Sequence, residues 1–162
     1  MHRTIRHLSI GTFVIVGLTV AAPPQVGTQQ PAARSLYDRL GGVYSIATVV
    51  DDFIERLLVN QTLNANPAIN EARARVPKAG LKFHVTALVC EVTGGPCKYS
   101  GRTMKDAHER LNITEAQWQA MVSDFRKTLD KFKVPPQDQA ELVTIVESTK
   151  KDIVKPAPGG RP

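Results

Sequence analysis

The sequence predicts an all-α domain. Apolar residues recur at intervals of three and four in several separate stretches. Helix-capping and helix-breaking residues bound those stretches, and no alternating apolar–polar run is long enough for a strand. Of 162 residues, 42% are apolar, sufficient for a single packed core.

Taken in order, Ser35-Leu36-Tyr37-Asp38 reads as a helix start, with Ser35 as cap and Asp38 favouring the N-terminal dipole. Gly41-Gly42 then breaks that helix. Val43 to Val59 forms the next, with Ile46, Val49, Val50, Phe53, Ile54, Leu57 and Leu58 on one face and Asp51, Asp52, Glu55 and Arg56 on the other. Asn60 to Pro77 is polar and predicts a loop with a short helix from Pro67 to Arg75. Gly80 to Val92 is an amphipathic helix whose stripe is Leu81, Val85, Leu88, Val89 and Val92. His84 lies on or beside that face. Gly94-Gly95-Pro96 ends it. Met104 to Leu111 is a short helical piece. Thr114 and Gln117 have the spacing of a capping box, opening a helix through Phe132 with Trp118, Met121, Val122, Phe125, Leu129 and Phe132 inward. Pro135-Pro136 breaks it, and Gln137 to Val154 is expected as one final helix. Residues 155–162 form a tail rich in proline and glycine, expected to be disordered.

The N-terminus has a different character. His2, Arg3, Arg6 and His7 precede an apolar stretch from Leu8 to Ala22, then Pro23 and Pro24. A basic start, a short apolar segment and a small-residue exit make a signal peptide over 1–22. Proline is unfavourable just after a cleavage point, so an uncleaved N-terminal anchor is the alternative, and membrane contact is expected only if the leader is retained. Residues 23–34 read as a flexible tether. The expected location is therefore exported and periplasmic. The net charge of +6 falls to +4 without Arg3 and Arg6, and no contiguous basic run points to nucleic acid.

Between residues 35 and 154 there are two histidines, His84 and His108. Together with Cys90 and Cys97 they do not compose a standard four-ligand zinc set. No Cys-x-x-Cys-His is present for covalent haem attachment. The two cysteines flank the Gly-Gly-Pro turn. In an exported protein they could form a disulfide, or Cys90 could be a buried small hydrophobe.

Leu36-Tyr37-Asp38-Arg39-Leu40-Gly41-Gly42, Asp52-Phe53, Gly94-Gly95-Pro96 and the segment Tyr99-Ser100-Gly101-Arg102-Thr103-Met104-Lys105-Asp106-Ala107-His108 together resemble the group 1 truncated haemoglobins. The resemblance spans 35–154 as one domain, and its specific part is Tyr99 to His108. It implies a truncated globin-like two-over-two helical sandwich binding non-covalent haem b and diatomic gases: oxygen, nitric oxide or carbon monoxide. It implies His108 as the proximal iron ligand. His84 falls on the distal helix, where some members carry a histidine that can itself bind iron. The expected pocket residues are Phe53, Ile54, Leu57, Leu81, His84, Val85, Leu88, Val89, Tyr99, Met104, Leu111, Ile113, Trp118 and Val122, with Arg102 and Lys105 as propionate partners.

The sequence departs from that family in one respect. The tyrosine often found directly after the Asp-Phe pair is Ile54 here, and Leu81 and Val85 stand where distal glutamines are common. A hydrogen bond to a charged or strongly polar acceptor contributes roughly 1.5–3 kcal/mol. Its loss lowers oxygen affinity by about tenfold to a hundredfold. That weakens the expectation of oxygen storage or nitric oxide dioxygenation. Peroxidase-like turnover is another option, and enzymatic turnover would need an oxidant or a reductase partner, since the chain carries no flavin or nicotinamide fingerprint. The alternative from a different class is an exported haem electron-transfer or redox-sensing protein with His84 and His108 both on the iron. A helical interaction module without cofactor is the third.

Overall fold

The computed structural model describes residues 34–156. The leader expected over 1–22, nearly all of the 23–34 tether and most of the 155–162 tail lie outside them. The described chain is helical: α1 (Leu36–Arg39), α2 (Gly42–Val59), α3 (Gln61–Asn64), α4 (Pro67–Arg75), α5 (Lys78–Val92), α6 (Met104–His108), α7 (Glu115–Lys131), α8 (Pro136–Ser148) and α9 (Lys150–Ile153). None of these helices is long and apolar enough to cross a membrane.

Local chemistry sets the boundaries. The Ser35 hydroxyl accepts from the Asp38 N–H at 3.1 Å and donates to its carboxylate at 2.7 Å. Gly41 and Gly42 take φ of +86° and +80°, the left-handed region that glycine enters without a Cβ penalty, and so turn the chain sharply into α2. The capping box at α7 is formed. Thr114 accepts from the Gln117 N–H at 3.3 Å, while Gln117 accepts from the Thr114 N–H at 3.0 Å.

α2 is the central helix, packed against α5 and α7. Ile46, Val50 and Ile54, spaced four apart, are buried against Cys90 of α5. The Phe53 ring meets Phe125 of α7 edge-on, centroids 5.2 Å apart. The segment after α2 holds more helix than its polarity predicts. Asn60 caps α3 by accepting from the Leu63 N–H. Asn66 is buried and ties three elements together. Its side-chain oxygen accepts from the Ala68 and Ile69 N–H groups of α4, and its amide donates to the Leu111 carbonyl at 2.8 Å and to Gln117 at 3.2 Å.

Three expectations are corrected. α5 begins at Lys78 rather than Gly80, directly after Pro77, whose fixed φ suits the residue entering a helix. α6 stops at His108 rather than Leu111. The helix expected over Gln137 to Val154 is divided at Thr149 into α8 and α9. There the hydroxyls of Ser148 and Thr149 donate to the Ile145 and Val146 carbonyls at 2.7 Å, competing with the helical ladder. The chain then runs beside Ile113, whose carbonyl accepts from the Lys155 N–H at 2.9 Å.

Asp52, on the polar face of α2, takes partners that the spacing alone does not show. Its carboxylate turns onto α7, where it accepts from Thr128 at 3.1 Å and from Lys131, and it also binds Arg56 at 2.7 Å. Lys131, then Arg56 and Thr128, hold its pKa at about 2, below the ordinary 3.8. A depressed carboxylate stabilises the fold fully above the unfolded value and ceases to do so as pH falls through the folded one. Stability should therefore drop by about 2 kcal/mol between pH 4 and 2 in wild type. Asp52→Asn should lose about that amount at pH 7 and lack this part of the acid transition, measured by urea denaturation against pH.

Cys90 and Cys97 form a disulfide, Cα atoms 5.7 Å apart, so the bridge is the outcome of the two alternatives. It joins the C-terminal turn of α5 to the connector leading to α6. Cys97→Ala should lower stability by about 2–3 kcal/mol, the closure entropy of so short a loop. Reducing agent should shift the wild-type denaturation midpoint and leave that of the variant in place.

Candidate functional site

α2, α5, α6 and α7, with α3 and α4 at one side, enclose a cavity of about 1190 Å³. That is above the roughly 300–1,000 Å³ usual for small-molecule sites. Its walls are mainly aliphatic and aromatic. From α5 come Leu81, His84, Val85, Leu88 and Val89, one continuous helical face. From α2 come Val50, Phe53, Ile54 and Leu57; from α6 and its flanks Tyr99, Gly101, Arg102, Met104, Ala107, His108 and Leu111; from α7 Trp118, Met121 and Phe125.

Both histidines reach this one space from different helices. Thr103 caps α6 by accepting from the Asp106 N–H at 3.1 Å. The His108 Nδ1 lies 2.8 Å from the Met104 carbonyl one turn back, so Nδ1–H donates and Nε2 keeps its lone pair. Burial holds the His108 pKa below its usual value, against the raising effect of the Met104 bond, with Arg102 lowering it further. The neutral imidazole is the form that ligates a metal.

His84 has a different environment. Its Nδ1 is buried without a hydrogen-bond partner, and its ring stands edge-on to Tyr99 at 6.1 Å and to Phe83 at 5.5 Å. Tyr99 is held in turn by its hydroxyl, which donates to the Arg102 carbonyl at 2.7 Å, and by its N–H, which donates to Glu91. This arrangement accounts for the glycine in the Tyr-x-Gly-Arg segment. A Cβ on Gly101 would lie 2.3–2.6 Å from the Tyr99 hydroxyl and ring.

Two expected residues are not on the wall. Val122 packs with Ile113, Trp118 and Ile153 in the core beneath it. Lys105 sits beyond the wall face of α6, in a separate cleft with Glu109, Lys151 and Asp152. Other wall residues escaped the sequence reading. Leu63, Ile69, Arg73 and Val76 come from the polar stretch read as a loop with a short helix from Pro67 to Arg75. Leu63 and Ile69 are single buried apolar residues in polar surroundings, where no periodic stripe signals them. Val92, read as part of the α5 stripe, is 45% exposed at the helix end.

The profile of the bacterial-like globin family matches residues 35–155. The chain belongs to the bacterial-like globin family. A group 1 truncated haemoglobin of Synechocystis sp. is 29% identical over 126 residues, covering 74% of this chain and 97% of that relative. One from Chlamydomonas moewusii is 27% identical, covering 74% and 68%. Among solved structures, the 2/2 haemoglobin of Synechococcus sp., in the cyanomet state with covalently attached haem, aligns with a TM-score of 0.63 and 26% identity over 75% of this chain and 98% of that one. This bacterial-like globin is thus of the haem-binding type with a two-over-two helical fold. Its residues fit that group. The cavity has apolar walls, a neutral imidazole with one nitrogen fixed by a carbonyl, and a second imidazole carrying an unpartnered buried nitrogen.

Gly101→Ala should push Tyr99 away from His84. The expected result is faster haem loss to an apo-globin scavenger, with near-wild-type helix content by circular dichroism. Unchanged haem loss would show that the Tyr99 position does not matter to the site.

Proposed function

We propose that this globin holds haem b without a covalent link, with His108 as proximal ligand, and binds diatomic gases: oxygen, nitric oxide or carbon monoxide. The observation that carries the reading is the His108 Nδ1 bond to the Met104 carbonyl, which fixes the ring and reserves Nε2 for the iron. Haem, when bound, would supply an iron centre able to take a small ligand. The protein supplies orientation and mainly apolar walls. Leu81, Val85 and Ile54 line the cavity beside His84, and none of their side chains donates a hydrogen bond. Both described cysteines are joined to each other, so neither offers a thiol for attachment, which supports non-covalent binding.

One observation favours a second reading, an exported electron-transfer or redox-sensing protein with both histidines on the iron. His84 lines the same cavity from α5, as His108 does from α6. The leader supports export to the periplasm, or anchoring if it is retained, in either case, and turnover would need an oxidant or a reductase partner.

Optical spectroscopy separates the readings. The dithionite-reduced protein should show a broad five-coordinate spectrum that sharpens with carbon monoxide under the gas-binding reading, and sharp paired visible bands under the second. His108→Ala should strongly weaken haem retention. His84→Ala should keep haem, and it should speed carbon monoxide binding only if His84 occupies the iron. Absence of a Soret band in wild-type protein reconstituted with haem would overturn both.

A further inference from the structure

Of the cations on the cavity wall, Arg39 and Lys78 are paired with carboxylates, whereas Arg73, Arg102 and Lys133 have no carboxylate partner among the described residues, and of these three burial lowers the pKa of Arg73. Arg39 is paired with Asp138 at 2.7 Å and Glu141 at 2.6 Å, and Lys78 with Glu55 at 2.9 Å. Arg73 of α4 has no carboxylate within 4.0 Å among the described residues. Its guanidinium donates to the Leu57 carbonyl at 2.8 Å and to the Asn64 side-chain oxygen, both neutral. Desolvation by burial lowers its pKa, so the charge is held in part away from water. Buried charges are normally paired, and the Leu57 carbonyl at the C-terminal end of α2 compensates only in part. A guanidinium has five N–H donors in a planar fork that matches a carboxylate, so donors remain after these two bonds.

The walls near Arg73 give no acid. Its cavity neighbours on α3 and α4 are Leu63, Ile69, Ala72 and Val76. A counter-charge at this place must therefore arrive with what the cavity takes in. Haem carries two carboxylates on an otherwise apolar plane, the chemistry that an apolar cavity with a desolvated fork on its wall, and the unpaired Arg102 elsewhere on it, would select.

We propose that Arg73 anchors a haem propionate carboxylate and so sets the preference of this cavity for an acidic porphyrin. The proposal rests on the haem reading above. It extends the recognition surface to α4, a short helix in a polar stretch, and it makes the Leu57 and Asn64 bonds the means by which the fork is aimed. Arg73 is a binding residue in this role and takes no part in chemistry at the iron.

The test is a binding titration of the full-length apoprotein with iron protoporphyrin IX and with its dimethyl ester, in which both carboxylates are blocked. Wild type should bind the acid more tightly than the ester. Arg73→Gln should weaken binding of the acid about tenfold, the scale of one charge-assisted bond, and leave the ester within about twofold. Arg73→Lys keeps the cation without the fork and should fall between. If Arg73→Gln does not fold, Arg73→Lys decides alone, and unchanged discrimination there overturns the proposal. Equal weakening of acid and ester would assign Arg73 only to capping α2 and would also overturn it. Wild type binding neither porphyrin would remove the haem reading and this proposal with it, whereas tight binding of both with no difference would remove this proposal alone.

Discussion

Across a cavity of about 1190 Å³ the walls have no partner to pack against, so the contacts where the helices meet at its margins govern the rest of this fold. α2 bears most of that constraint, because it forms a wall and contacts both α5 and α7. Its buried Ile46, Val50 and Ile54 fix α5, and its Phe53 fixes α7. The polar ties lie around the same frame. Asp52 binds α2 to Thr128 and Lys131, Asn60 reaches Asp124 at 2.5 Å, and Asn66 links α4 to Leu111 and to Gln117 of α7. Partly buried polar ties of this kind specify the arrangement of helices more sharply than apolar contacts alone.

The proximal side shows how a very short helix can still present a ligand. α6 has five residues and little stability of its own. Thr103 caps its start, the Met104 carbonyl fixes His108, and α9 packs against it from behind. The break at Thr149 matters for this reason. By ending α8, it lets α9 change direction and brings Val154 and Lys155 beside Ile113. The disulfide plays a similar part on the other side, joining α5, with His84, to the connector that carries Tyr99.

Much of this was legible in the sequence, and the reasons are specific. The α5 face from Leu81 to Val89 is a periodic stripe, so both its helix and its inward side followed from spacing. The Thr114–Gln117 capping box located α7 within one residue. The segment Tyr99 to His108 carried the family. What periodicity could not show was direction for polar groups. The spacing placed Asp52 on the polar face of α2 but not against α7, since an apolar count is blind to a carboxylate that meets a threonine and a lysine 76 and 79 residues away. Arg73, Leu63 and Ile69 were hidden for a related reason. They act singly, in a segment whose helices depend on the side-chain caps of Asn60 and Asn66 rather than on a stripe.

Trp118 is the single tryptophan of the chain, 1% exposed and set in the cavity wall. It belongs to the core cluster with Leu63, Ile69, Ile113, Val122 and Ile153. Its ultraviolet emission therefore comes from one known position that both the folding core and the cavity share. A porphyrin nearby accepts excitation energy from an indole and darkens it, whereas unfolding exposes the indole to water and shifts its colour. Occupancy and unfolding thus produce two distinguishable optical signals from one native side chain, with no label attached.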